Sequence, residues 1–422
     1  MNSFCCSHLA ILLCLLLTIT SPRAGDWPQW RGPERNGHVS AETPVPTTLS
    51  NEPKVLWRLN IGGGFSSPVI QNGKLVYLDA QDGQEVAHLI DAKTGREFWH
   101  VPFSDMYGDE WGVGPRSTPI MDGDRVYVQS CKGEFRCLNL ADGKVLWGTS
   151  FTKDFGIVFV GSKVLEGTAR RRGNNGSGVV DGDRIYVPVG STNNATIVCY
   201  HKLTGAMLWK SQDDEAAFSS LMVATLAGVK HVVMLNAEAL IGVDAADGKL
   251  LWRLPLETYA KRHVATPVIF GDMVMVNSHT FGLRCFKISR EGDKVKAVEK
   301  WANKDLKINI ATPVVVGNYV YSHGPRKDFV CADALTGKLL WTQGGFGENY
   351  SSIVALGKNL LVLTDLGELI FVAADPTQYT ELGRAHVCGR TWSHPAYADG
   401  KLYVREGLRD AWKLTGLELL VQ

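Results

Sequence analysis

One phrase recurs along this chain at intervals that few architectures accommodate. It reads "DAKTGREFW" (91–99), "NLADGKVLW" (139–147), "HKLTGAMLW" (201–209), "DAADGKLLW" (244–252) and "DALTGKLLW" (333–341), each with a Gly four residues before a Trp. A second phrase, a Gly turn opening an apolar strand, recurs more fully: "NGKLVYL", "DGDRVYV", "DGDRIYV", "AGVKHVVML", "FGDMVMV", "VGNYVYS", "LGKNLLV" and "DGKLYV". Its glycines, Gly73, Gly123, Gly182, Gly228, Gly271, Gly317, Gly357 and Gly400, mark eight units spaced 40 to 59 residues apart. Self-similarity at that period is the mark of a repeat fold.

Each unit reads as a short apolar strand, often entered through Ser/Thr-Pro ("SSPVI", "STPIM", "ATPVI", "ATPVV"), a Gly hairpin, two further strands, a Thr/Asp-Gly turn and the Trp strand. Four strands per unit describe a propeller blade, which buries both faces only by stacking on neighbours in a closed ring. The expected fold is therefore all-β, an eight-bladed propeller of four-stranded antiparallel blades. Trp57, Trp99, Trp147, Trp209, Trp252 and Trp341 then peg the outer part of one blade to the next. A buried indole covers roughly 150–250 Å², and its loss costs about 3–5 kcal/mol.

The first Trp strand, "KVLWRL", has no unit ahead of it, and the last unit, "SHPAYADGKLYVREGLRDAWKLTG" (393–416), supplies only three strands. They complete one another, so the N-terminal strand is expected to close the last blade and remove an open sheet edge. The terminal "LELLVQ" is the competing candidate for that place. The expected division is a signal peptide at 1–24, an arm at 25–52 and the propeller at 53–422.

The leader carries an apolar run from Leu9 to Thr20 followed by Ser-Pro-Arg-Ala-Gly, the layout of an export signal and too short for a comfortable membrane span. No lipid-anchor pattern precedes Cys14. Lys+Arg 44 against Asp+Glu 43 leaves no global field to attract nucleic acid or anionic lipid. Six cysteines follow the leader: Cys131, Cys137, Cys199, Cys285, Cys331 and Cys388. Cys137, Cys199 and Cys331 each stand six residues before a turn glycine, so they point into different blade cores and cannot pair. Only Cys131 and Cys137, around "CKGEFRC", are close enough in sequence for a bridge.

The phrase "DA-x-TGK-x-x-W" with Ser/Thr-Pro strand openings resembles the tryptophan-docking motif of quinoprotein-type propellers, which include pyrroloquinoline-quinone (PQQ) dehydrogenases and the outer-membrane assembly factor BamB. The leader "DWPQWRGPERNG" is similar to that of exported PQQ-like repeat proteins of planctomycete-type bacteria. The likeness covers residues 53–416, less fully where "REGDKVKAVEKW", "ADPTQYTELG" and "AWKLTG" stand. For the enzymes of that group it implies PQQ over the propeller axis, a Ca²⁺, a catalytic Asp and a disulfide between adjacent cysteines. The only adjacent cysteines here are Cys5 and Cys6, in the leader, and no motif places Ca²⁺ ligands or a catalytic Asp.

The sequence has no zinc helix, nucleophile elbow, Walker loop or CxxC pair. What it offers instead lies in the links that cross one propeller face toward the axis. They gather Trp111, Arg116, Arg170, Arg171, Arg172, Asn174, Arg262, His263, Asn309, Asn349, Tyr350, Arg390, Trp392 and His394 around the channel mouth. Such a basic, aromatic funnel suits an anionic or polyhydroxylated ligand or a partner peptide. Alternatively the arginines cap strand carbonyls and pair with Asp105, Asp109, Glu110, Glu166 and Glu348 while the aromatics plug the channel. Trp27, Trp30 and Arg31 of the arm are expected to pack against the last blade. The reading is an exported monomer, periplasmic or secreted, that binds or scaffolds a cell-envelope protein, an anionic ligand or a polysaccharide, with no cofactor and no metal. A PQQ-dependent dehydrogenase using Ca²⁺ is the alternative, and an envelope component that merely presents its rim is a third.

Overall fold

A computed structural model describes residues 25–157, 173–408 and 411–420. Eight four-stranded antiparallel sheets follow one another around a ring, each ordered from an inner to an outer strand. The first comprises Val69–Gln71, Lys74–Gln81, Gln84–Asp91 and Glu97–Asp105. Inner strands mostly span three residues, as in Ile120–Asp122 and Val314–Val316, because strands near the axis have little room. Second and third strands are sandwiched between blades and so carry near-continuous apolar runs such as "LLVL" in Asn359–Thr364. Outer strands face solvent, and Leu339–Gly344 has no fully buried residue.

Ring closure follows the expected clasp. Lys54–Asn60 pairs antiparallel with Lys413–Glu418, and the last sheet runs Ala396–Ala398, Lys401–Glu406, Lys413–Glu418, then Lys54–Asn60. The C-terminal segment begins inside the third strand of that blade, and Leu419 N–H returns to Gly400 O at 2.9 Å.

The tryptophans dock between blades. Trp57, Trp99 and Trp147 donate Nε1–H to Ala92 O (2.9 Å), Leu140 O (3.0 Å) and Lys202 O (2.9 Å) of the following blade. Trp341 donates to Asp375 O at 2.9 Å. Each of the first three rings lies on a turn glycine with positive φ: a Cβ on Gly205 would stand 2.6 Å from the Trp147 ring. Trp209 rests on Gly248 in the same way. Trp252 also packs on the following blade, in a buried cluster with Phe286 and Ile288, but it meets no turn glycine there because blade five ends in the ten-residue strands Gly282–Glu291 and Lys294–Asn303. That blade's own peg is Trp301, which donates to Ala334 O at 3.0 Å and rests on Gly337. In blade seven Gly383 occupies the pegging register, and the arm's Leu49 packs there instead.

The six cysteines are free and buried, Cys131 and Cys137 included. Among the described residues no helix is long and apolar enough to cross a membrane.

The arm departs from expectation. It does not merely pack on the last blade; it threads the channel and touches the inner edge of every blade. Trp27 pairs with Ile70 through backbone bonds of 2.9 and 2.8 Å, and Pro28 O accepts Met121 N–H at 2.8 Å. Arg35 donates to Gly178 O and Leu221 O at 2.8 and 3.0 Å, and Trp30 Nε1 to Thr266 Oγ1 at 2.9 Å. Arg31 reaches Pro313 O at 2.7 Å, Gly37 and Val39 bond with Ala355, and Pro44 O accepts the Tyr397 hydroxyl at 2.6 Å. The physical reason is that short inner strands leave unpaired carbonyls and N–H groups around the axis, and the polar, turn-rich arm satisfies them.

Candidate functional site

Each inner strand is entered through equivalent residues: Ser67, Thr118, Ser177, Ser220, Thr266, Thr312, Ser352 and His394. Several of them link one blade to the next. Ser67 N–H donates to Thr118 Oγ1 (3.4 Å), Thr118 N–H to Ser177 Oγ (2.8 Å), Ser177 N–H to Ser220 Oγ (3.0 Å), Thr266 N–H to Thr312 Oγ1 (3.1 Å) and His394 N–H to Ser67 Oγ (3.1 Å). These residues form a belt around the axis, hydroxyl-bearing in every blade but the last and bonded across five of the blade junctions, and the arm fills the channel beside it. Trp30 is the arm residue that belt and cavity share.

On this base stands a cup of about 1050 Å³. Its walls include Phe65, Trp111, Arg116, Phe218, Tyr259, Arg262, Asn309, Asn349, Tyr350 and Trp392. Trp111 sits at the tip of a two-stranded finger formed by Gly108–Asp109 and Gly112–Val113. Asp109, whose side chain is shielded from solvent, accepts Trp111 N–H at 2.9 Å and Arg116 Nη2 at 2.5 Å, and Arg116 lies 5.4 Å over the Phe65 ring. Elsewhere in the wall, Tyr259 is 79% exposed on a turn whose Ala260 and Lys261 both have positive φ. Backbone strain of that kind persists only where surrounding structure imposes it. Arg262 Nη2 donates to Asn309 Oδ1 at 2.8 Å.

Trp111 and Trp392 form an aromatic ridge with ring centroids 5.7 Å apart. Both also line a second hollow of about 770 Å³ that includes Arg58, His386, Arg390, Glu406 and Lys413. Cup and groove thus flank the same ridge, each taking part of its wall from Trp111 and Trp392.

Eight sequence-predicted residues, Trp111, Arg116, Arg262, Asn309, Asn349, Tyr350, Trp392 and His394, come together in the cup, while Arg390 belongs to the groove and pairs with Glu348 at 3.1 Å. Asn174 and His263 do not line the cavity. Asn174 is buried and accepts Gln129 Nε2 at 2.8 Å, and buried His263 Nδ1 meets Asn236 O at 2.7 Å. Successive side chains of an extended link face opposite ways, so Asn175, Arg262 and Val264 face the cup and their neighbours face inward. Arg170, Arg171 and Arg172 lie outside the described residues, as does the leader. Sequence reasoning missed Phe65, Phe218 and Tyr259, aromatic residues whose positions within the same links were the available signal.

Two arginines lie behind the belt, Arg31 bonded to Pro313 O beside Thr312 and Arg35 to Gly178 O beside Ser177. Arg31 and Arg35 are buried in the channel, and among the described residues neither is ion-paired. Burial pulls Arg31 down to about 10, and burial with Arg31's charge pulls Arg35 down to about 9, so both remain cationic at neutral pH. Burial, reinforced by Arg31, pulls His394 down to about 4 and keeps it neutral.

PQQ with Ca²⁺ fits these residues poorly. Ca²⁺ takes about six to eight oxygen ligands, usually including carboxylates, yet no Asp or Glu is among the described residues lining the cup. Nearby carboxylates are engaged: Asp109 by Arg116, Asp365 by the N–H groups of Glu348 and Asn349, and Glu348 by Arg390.

A family model described as outer membrane protein assembly factor BamB matches residues 47–163, 88–323 and 160–375. A BamB of Shewanella oneidensis is 23% identical over 400 residues, 87% of this chain and 89% of that protein. The crystal structure of BamB from Moraxella catarrhalis aligns with TM-score 0.59 and 13% identity, covering 87% of this chain and 100% of that one. A quinohemoprotein alcohol dehydrogenase, ADHIIG of Pseudomonas putida HK5, aligns with TM-score 0.63 and 10% identity over 94% of this chain and 80% of that one. At such identities the two structures speak to the shared propeller alone.

Proposed function

We propose that this chain, which belongs to the outer membrane protein assembly factor BamB family, is a non-catalytic binding scaffold that holds an extended, acidic and aromatic segment of a cell-envelope protein. The observation that carries this reading is that cup and groove lie on either side of one aromatic wall, Trp111 and Trp392, which lines both. A compact cofactor needs one enclosed pocket, whereas an extended peptide uses two hollows joined by an aromatic saddle. Arg and Trp are the residues that most often anchor protein interfaces. Arg31 and Arg35 below the belt, with Arg262 in the wall, favour carboxylates on the ligand.

The chemistry performed is recognition. The guanidinium groups orient acidic side chains, the belt hydroxyls and Asn309 offer bonds to the peptide backbone, and Phe65, Phe218 and Tyr259 receive apolar side chains. The export-signal leader and the assembly factors among its relatives support a single-chain protein of the periplasm or cell envelope.

The reading is tested by calorimetric titration with a peptide alternating aromatic and acidic residues, alongside PQQ plus Ca²⁺. Micromolar peptide binding that weakens at least tenfold in Arg262→Glu supports it. Binding of PQQ plus Ca²⁺ with no peptide binding would return the quinoprotein alternative.

A further inference from the structure

A second site lies on blade one, away from the cup-lining residues. Tyr77, His88 and His100 stand in one row across three strands, since Tyr77 pairs with His88 and His88 with His100. The Tyr77 ring stacks on His88 at 4.5 Å with an interplanar angle of 2°. Asp79, fully buried, fixes the other degree of freedom: its Oδ1 meets His88 Nε2 at 3.0 Å, and its Oδ2 accepts Gly62 N–H at 2.7 Å and Gln81 Nε2 at 2.9 Å. His88 is thereby locked with Nδ1 aimed at the outer strand.

That strand contains a bulge where the register shifts between Leu89↔Trp99 and Ile90↔Glu97. The extra residue brings Glu97 to the side of the strand where His100 stands, against the strict alternation of a regular strand. Glu97 then bridges the two imidazoles, with Oε2 2.7 Å from His88 Nδ1 and Oε1 2.8 Å from His100 Nδ1. The three donor atoms lie within 4.8 Å of one another.

We propose that His88 Nδ1, the Glu97 carboxylate and His100 Nδ1 bind one divalent transition-metal ion of the zinc class, with Asp79 orienting His88 from behind. Two imidazoles and a carboxylate form a recognised zinc donor set, which a water completes to four. A histidine ligand ordinarily donates its other ring N–H to a carboxylate, the role in which Asp79 already stands. On binding, each Nδ1–H bond to Glu97 gives way to an Nδ1–metal bond, the displaced protons pass to solvent, and no electron is transferred. Binding joins the third strand of blade one to its outer strand, which carries the Trp99 peg to blade two. The site is therefore a clip on the ring. It is independent of the peptide reading, and failure of either leaves the other standing.

The test uses the purified, chelator-treated protein, titrated with Zn²⁺ by calorimetry and with Co²⁺ by visible absorption. His100→Ala and Glu97→Gln alter exposed outer-strand positions and leave the buried His88–Asp79 pair in place. His386→Ala is the control, because His386 pairs with Glu368 at 3.1 Å and is no part of the cluster. One equivalent at micromolar or tighter affinity is expected, weakened at least tenfold by His100→Ala and Glu97→Gln and unchanged by His386→Ala. The Co²⁺ complex should show tetrahedral bands that both cluster variants abolish. Absence of saturable uptake, or uptake that His100→Ala leaves intact or His386→Ala lowers equally, would mean that the cluster shares protons only.

Discussion

Replacing Trp27 by alanine should release the plug while leaving the ring closed. The indole is 1% exposed, lies against Gly32 and stacks on His394 with ring centroids 6.0 Å apart. Burying some 150–250 Å² at about 25 cal/mol per Å² is worth roughly 4–6 kcal/mol, and large-to-small core changes of this kind cost about 3–5 kcal/mol. The other anchors cannot make up the loss. Burial depresses both arginines, which means the channel disfavours their charge even while their bonds to Pro313 O, Gly178 O and Leu221 O orient the arm. The assay is limited trypsin digestion, since the bonds after Arg31 and Arg35 are protected only while those buried side chains stay docked. A local loss of about 3 kcal/mol raises the open population, and with it the cleavage rate at those two sites, by about two orders of magnitude. Wild-type cleavage rates in Trp27→Ala, together with a stability loss below about 1 kcal/mol in urea, would refute the reasoning and remove Trp27 as the anchor.

Gly205→Ala should destabilise by about 2–4 kcal/mol in urea denaturation, because it combines a φ of 71° with a Cβ 2.6 Å from the Trp147 ring; a change under about 0.5 kcal/mol would contradict the docking account. Burial pushes Glu85 up from 4.5 to about 8. The folded chain therefore holds a proton that the unfolded chain releases, and stability should decline as pH rises between those values. Glu85→Gln should flatten that slope and gain up to about 3 kcal/mol at neutral pH, read from urea melts at several pH values. His394 acts in the opposite sense. With its folded value near 4 against 6.5, the unfolded chain gains the proton first, so acidification through that window should cost up to about 3 kcal/mol. His394→Asn should lessen that acid sensitivity.

The architecture was legible because a propeller repeats its instructions: a turn glycine, an apolar run and a Trp recur where each blade needs them. Even the ring closure could be read, since "KVLWRL" had no unit of its own and the last unit lacked an outer strand. Trp301 escaped because the ten-residue hairpin of blade five separates it from the usual Thr/Asp-Gly turn. The arm escaped for a deeper reason. Trp27, Trp30, Arg31 and Arg35 make their bonds to residues far along the chain, from Ile70 to Pro313, and no local pattern encodes such contacts. The funnel was legible as a set of links, but the facing of single residues was not. Asn174 and His263 turn inward beside Asn175 and Arg262, which turn outward, and that choice depends on the path of each link.

The central claim is that cup and groove hold one extended ligand. It is tested by comparing a long acidic, aromatic peptide with its two halves by calorimetry, on wild type, Arg262→Glu in the cup and Arg390→Glu in the groove. The account predicts that the long peptide binds at least tenfold more tightly than either half and that each charge reversal weakens it. A long peptide no tighter than one half, with Arg390→Glu leaving its affinity unchanged, would contradict the account and confine recognition to the cup.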